Sequence, residues 1–220
     1  MKKIIVGTPR SGTSFVARWY ANSFPKHTAL DEERLYEHFE PDYPDWPQNN
    51  NFKAIDEQTK KRIKQLPEDC VFKMHTGPEM SEYAWQYVYD QPVILVKRKD
   101  VLGQFISYGI GWATFKWYVL DDWKQTQING LEEDQTFVYK KEWFDNLAWR
   151  IKDLFYREVH FKNIERTVWF EDIHTFPRNG ILSVRQNPND NKEKLERIEN
   201  KKEFKQWFKQ LDWDIDEWKR

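Results

Sequence analysis

Apolar positions along this chain fall into two kinds of run. Ile4-Ile5-Val6, Cys70 to Met74 (broken only by Lys73), Pro92 to Val96 and Thr167 to Phe170 are short and mostly apolar. Such runs predict buried strands, and the unbroken Pro92–Val96 run suits a parallel strand covered on both faces. Between them, apolar residues recur at helical spacing. Phe15, Val16, Trp19 and Tyr20 predict a helix over 13–23; Ile55, Ile63 and Leu66 one over 54–66; Tyr83, Trp85, Tyr87 and Val88 one over 79–90. Residues 100–120 begin as a helix and turn aromatic and irregular, 137–159 predict a long helix, and about 192–219 one or two charged helices. Residues 41–52, 121–136 and 186–194 are polar and read as loops. Strands alternating with helices predict an α/β fold of three layers, a central and mostly parallel sheet flanked by helices. No repeat or low-complexity linker interrupts it, so residues 1–220 are expected to form a single domain.

Composition narrows the classes open to such a fold. Charged residues make up 32% of the chain and aromatics 17%, with twelve Trp, so aromatic side chains must supply much of the core. The 35 basic and 36 acidic residues leave a net charge of −1, which excludes a global field for nucleic acid or membrane but not a local basic pocket. Cys70 is the only cysteine, which excludes an intramolecular disulfide or a cysteine zinc site. It precedes Val71 and Phe72 and reads as a buried structural thiol. No apolar run approaches the roughly 18 residues of a membrane span. Ile4-Ile5-Val6 is too short for a secretory signal core, so the expected location is cytoplasmic.

The candidate chemistry begins where the first strand ends. Gly7-Thr8-Pro9-Arg10-Ser11-Gly12-Thr13-Ser14 leads from a strand into a helix with the spacing G-x-x-x-x-G-x-S. A Walker loop reads G-x-x-x-x-G-K-[ST], and here Thr13 stands at the lysine position. Glycines let the backbone wrap, successive amides turn inward, and the helix N-terminus adds positive potential for an anion. Ser11, Thr13 and Ser14 add hydroxyl donors, and Arg10 supplies a cation from another point of the loop.

Pro9-Arg10-Ser11-Gly12-Thr13-Ser14 resembles the 5′-phosphosulfate loop of sulfotransferases that use 3′-phosphoadenosine 5′-phosphosulfate, written P-[KR]-S-G-T-[TS]. Three further segments resemble that family in its own order. Lys73-Met74-His75 is similar to its K-T-H segment, with Met74 in place of Thr. Lys97-Arg98-Lys99-Asp100, followed by Gln104 and Ser107, resembles the 3′-phosphate segment, in a form closer to bacterial trehalose-type members. Arg98 to Ser107 is one residue longer than the usual spacing. Val168-Trp169-Phe170-Glu171-Asp172-Ile173 with Pro177 resembles a strand end and turn that is mainly structural in the family. The closing K-G-x-x-G-D-W segment is not evident, and Arg178-Asn179-Gly180 is at most its remnant.

The resemblance implies a P-loop NTPase-like fold and transfer of a sulfuryl group to a hydroxyl or amine. It implies that Thr8, Pro9, Arg10, Ser11, Gly12, Thr13 and Ser14 hold the 5′-phosphate, and that Arg98, Ser107 and Arg178 meet the 3′-phosphate. An arginine fork grips phosphate oxygens in pairs, which fits Arg98. His75 is implied as the general base, and a histidine has a suitable pKa for that work near neutrality. Lys73 and Arg10 are implied to steady charge on the transferring and leaving oxygens. Glu33 or Glu37, in the acidic stretch after the loop, is an alternative base. No metal is expected: a sulfuryl group carries less charge than a terminal phosphoryl group, and no H-E-x-x-H cluster occurs.

The acceptor is open: a small molecule, a carbohydrate or a peptide. Trp112, Phe115, Trp117, Tyr118 and Trp123 form either its wall or part of the core. Two other functions compete. A degenerate P-loop kinase or NTPase would need a Walker lysine and an acidic magnesium partner at a strand end, whereas Val93–Val96 runs into basic residues. A non-catalytic nucleotide-binding module of the same fold would keep the loop without transfer. Oligomeric state is not legible.

Overall fold

The computed structural model describes residues 3–23, 57, 60–61, 63–64, 70–77, 80–114, 135–176, 190–212 and 218. Four strands, β1 (Lys3–Gly7), β2 (Val71–His75), β3 (Pro92–Lys97) and β4 (Asn163–Trp169), form one sheet in the order β2-β1-β3-β4. Every pairing is parallel. The helices are α1 (Thr13–Ser23), α2 (Glu82–Tyr89), α3 (Val101–Thr114), α4 (Lys141–Glu158), α5 (Asp190–Glu196) and α6 (Lys201–Lys209), with a 3-10 helix at Phe170–Thr175. The chain divides into two compact units, Met1–Lys97 with Asp153–Val184, and Arg98–Lys152 with Arg185–Arg220.

The first unit holds the sheet. Strand alternation places Ile5, Ile94, Val96 and Val168 on one face, where Val16 and Ala17 of α1 complete a buried cluster with Ile173 and Phe176. Phe15, Trp19 and Tyr20 pack against it, so the apolar stripe expected of α1 is the stripe it buries. Ile4, Val6, Val93 and Leu95 are fully buried on the opposite face. A parallel sheet apolar on both faces is what a three-layer α/β fold requires. Truncating a residue such as Ile94 to Ala in this core would cost about 2–5 kcal/mol. Cys70 is buried just before β2, as expected of a structural thiol.

The second unit is built on aromatic packing. Tyr139 Oη donates to the Phe105 carbonyl at 2.8 Å, and the Phe105 ring lies 4.6 Å from that of Phe144. Gly109 faces the Tyr139 ring so closely that a Cβ there would come within 2.2 Å of it. On the part of α4 that belongs to this unit, Phe144, Leu147 and Ile151 are buried, at helical spacing.

Several boundaries differ from the expected ones. The helix expected over 79–90 starts at Glu82, because Ser81 caps it and accepts from the amides of Tyr83 at 3.1 Å and Ala84 at 3.4 Å. On it Ala84, Trp85 and Val88 are buried, whereas Tyr83 is exposed. The helix expected from 137 starts at Lys141, because Phe137 bridges in parallel to Ile198 and the Tyr139 amide donates to Asn200. Strand β4 starts at Asn163 rather than Thr167. Its first residues are polar and exposed, so no apolar run announced them. Of the helix expected over 54–66, only Glu57, Lys60, Lys61, Ile63 and Lys64 are described, and all five are helical. Among the described residues no helix is long and apolar enough to cross a membrane.

Candidate phosphate loop and its basic partners

Strand β1 lies between β2 and β3, so successive strands leave it in opposite directions. In an open parallel sheet the crevice at such a switch point, outside the carboxyl ends of the strands, is where ligands bind. The loop Gly7–Ser14 occupies that end of β1. Thr76 donates its amide to the Gly7 carbonyl at 3.1 Å, which holds the start of the loop against the end of β2.

Gly7 is a packing requirement: a Cβ there would lie 2.6 Å from both the Val96 carbonyl oxygen and Thr13 Cγ2. Arg10 has φ 64° and Gly12 φ 93°, the only positive values among the described residues. Alternating signs of φ along Pro9-Arg10-Ser11-Gly12 follow the pattern that turns successive amides toward one side, the geometry of an anion nest. A Cβ on Gly12 would lie 2.6 Å from Ile173 Cδ1, so no side chain fits there. The Gly12 carbonyl accepts the first helical bond, from Val16 at 3.1 Å, and α1 begins at Thr13.

Several loop side chains also bond within the loop or pack beneath it. Ser11, expected as a ligand donor, is fully buried and donates its hydroxyl to the Thr8 carbonyl at 2.7 Å. Its hydroxyl is spent on closing the turn, so Ser11 shapes the loop rather than reaching outward. Thr8 is likewise fully buried, and Pro9 and Arg10 are half-buried.

Lys73 and His75 sit on the same face of β2 as Val71, two and four residues further along, and so on the face that α1 covers. Lys73 is almost fully buried and donates from Nζ to Ser14 Oγ at 3.1 Å. His75 Nε2 is 2.8 Å from Thr13 Oγ1. The fold thus joins both basic residues of the second motif to the two hydroxyls that open α1. A buried ammonium is costly without compensation. Here its bond to Ser14 places it beside the N-terminus of α1, whose own first turn holds no acidic residue.

Arg98 and Ser107 belong to the second unit. Ser107 is buried on α3. Arg98 donates from Nη2 to Asp100 Oδ2 at 3.2 Å. Asp100 also accepts from the Gly103 amide at 2.9 Å and from Asn191 Nδ2 at 2.5 Å. Burial alone would raise the Asp100 pKa, but the bonds from Asn191 and Gly103 and the Arg98 charge outweigh it and hold it below its ordinary value. A Cβ on Gly103 would collide with Asp100, Arg98 and Asn191 at once. Sequence reasoning missed Asn191, which lies in a polar stretch with no distinguishing pattern; a glycine inside α3 was the available signal of a close approach.

Trp112 stacks on Trp143 at 6.3 Å, within the aromatic packing of the second unit. Arg178, Glu33, Glu37, Phe115, Trp117, Tyr118 and Trp123 lie outside the described residues. The segment Phe170–Thr175 is the turn expected after β4. Among the described residues no three His, Cys, Asp or Glu side chains form a group able to hold a metal ion. No protein-family model, no curated protein and no solved structure matches this chain.

Proposed function

We propose that this chain is a sulfotransferase that uses 3′-phosphoadenosine 5′-phosphosulfate, on a P-loop NTPase-like fold, with a hydroxyl or amine acceptor. The observation that carries the reading is the joining of Lys73 and His75 to Ser14 and Thr13 at the carboxyl end of the sheet. The loop suits the nucleotide's 5′ end, since the positive φ at Arg10 and Gly12 follows the alternation that turns successive amides to one side, just before α1 begins.

When bound, the nucleotide supplies a sulfuryl group for in-line transfer, with 3′,5′-adenosine bisphosphate as the departing product. The amides that open α1 bind the 5′-phosphate, and Arg10 and Lys73 hold negative charge in place. His75 takes the acceptor's proton as general base. The resemblance assigns Arg98, Ser107 and Arg178 to the 3′-phosphate. The protein's contribution is positioning and preorganised charge, as in phosphoryl transfer. A cytoplasmic location and a small-molecule, carbohydrate or peptide acceptor belong to the same reading.

The test is transfer of isotopic sulfur from the labelled nucleotide to a panel of hydroxyl and amine acceptors. Label should move with wild-type protein and be lost in His75→Ala. Equal transfer by His75→Ala and loss in Glu37→Gln would move the base to Glu37, and no transfer to any acceptor would favour a non-catalytic module.

A further inference from the structure

The 2.8 Å contact between Thr13 Oγ1 and His75 Nε2 can be made with the proton on either atom. A threonine hydroxyl carries a single hydrogen and two lone pairs, and a neutral imidazole has one donor and one acceptor nitrogen. The Thr13 proton therefore goes either to His75 Nε2 or to a second acceptor, never to both. A phosphate oxygen at the start of α1 is such an acceptor, and it offers no proton in return. Once Thr13 donates to the anion, its oxygen can hold His75 only by accepting from Nε2–H.

We propose that Thr13 is a positioning residue that couples occupancy of the phosphate loop to the protonation of His75, so that anion binding places a proton on Nε2. This deepens the sulfotransferase reading and rests on it. Thr13 stands where a Walker loop carries its lysine, and in this chain that position addresses the histidine rather than a terminal phosphate. Thr13 is buried, so the contact is held by packing as well as by the hydrogen bond.

The experiment is nitrogen-15 NMR of the histidine rings, with His75 assigned from its loss in His75→Gln. Spectra are taken with and without saturating 3′,5′-adenosine bisphosphate, and binding is measured in parallel by calorimetry. The expected result is a shift of His75 toward the Nε2-protonated form on binding, kept in Thr13→Ser and abolished in Thr13→Val. Bound nucleotide with unchanged His75 resonances overturns the coupling and leaves the sulfotransferase reading standing. So does an equal shift in Thr13→Val. If Thr13→Val does not fold or bind, Thr13→Ser decides: nucleotide bound without the shift overturns the coupling. Calorimetry that detects no binding to the wild-type protein overturns both.

Discussion

Lys73 Nζ donates to Ser14 Oγ across 3.1 Å, tying the middle of β2 to the first turn of α1. The lysine is nearly fully buried, and replacing a buried charge by an apolar group of similar volume is often neutral or stabilising. Lys73→Met keeps the volume and removes the charge. We expect its melting temperature to equal or exceed the wild-type value, while affinity for 3′,5′-adenosine bisphosphate falls about tenfold or more, the worth of a charge-assisted hydrogen bond. Thermal unfolding and calorimetry on the same preparation check both halves. A large loss of stability with unchanged affinity would make Lys73 a structural residue.

The loop glycine next to Val96 gives the opposite pattern. Gly7→Ala forces a methyl group against the Val96 carbonyl oxygen and Thr13. Overpacking of this kind costs about 1–3 kcal/mol, read from the midpoint of urea unfolding. Nucleotide affinity should fall with it, because the loop must shift to relieve the clash.

Arg10 separates strain from charge. Its φ of 64° is left-handed backbone, which costs a non-glycine residue about 1–2 kcal/mol. Arg10→Gly should therefore be no less stable in urea than wild type, and yet bind the bisphosphate more weakly for want of the guanidinium. Retained affinity would remove Arg10 from the site.

Asp100 predicts the acid behaviour of the second unit. Its pKa is lowered in the folded protein: burial pushes it up, but Asn191, the Gly103 amide and Arg98 together push it further down. A carboxyl with a depressed folded pKa binds its proton more readily when unfolded. Its contribution to stability is then complete above the ordinary aspartate value of about 3.9 and is lost as pH falls through the lower folded value. Asp100→Asn should be less stable than wild type at neutral pH, with the gap closing as the medium is acidified. Urea unfolding followed by Trp fluorescence over that range reads the gap directly.

The parts of the fold with strong local signals were legible. Helix α1 spans Thr13–Ser23, the bounds its apolar spacing predicts, and β3 extends the Pro92–Val96 run by one residue. What escaped was fixed by tertiary partners. The first residues of β4 are Asn163, Ile164, Glu165 and Arg166, which read as polar chain and become a strand only by pairing with β3. Likewise, the residues before Lys141 are drawn away from helix by Ile198 and Asn200, some sixty positions distant. In the candidate site, the loop and the Lys73–His75 pair were readable one by one. That Thr13 would meet His75 and Ser14 would meet Lys73 depends on the β1–β2 register, which no local pattern encodes. That the Ser11 hydroxyl would donate to the Thr8 carbonyl was not legible either, because a hydroxyl's direction is set by its nearest acceptor.

Calorimetric titration with 3′,5′-adenosine bisphosphate, with ATP and AMP as controls, in wild type and Arg98→Ala reads the dependence on the 3′-phosphate. Binding is expected to require the 3′-phosphate and to be lost or strongly weakened in the variant. Equal affinity for ATP, or no dependence on the 3′-phosphate, would contradict the sulfotransferase reading and point to a kinase-like or inactive nucleotide-binding protein.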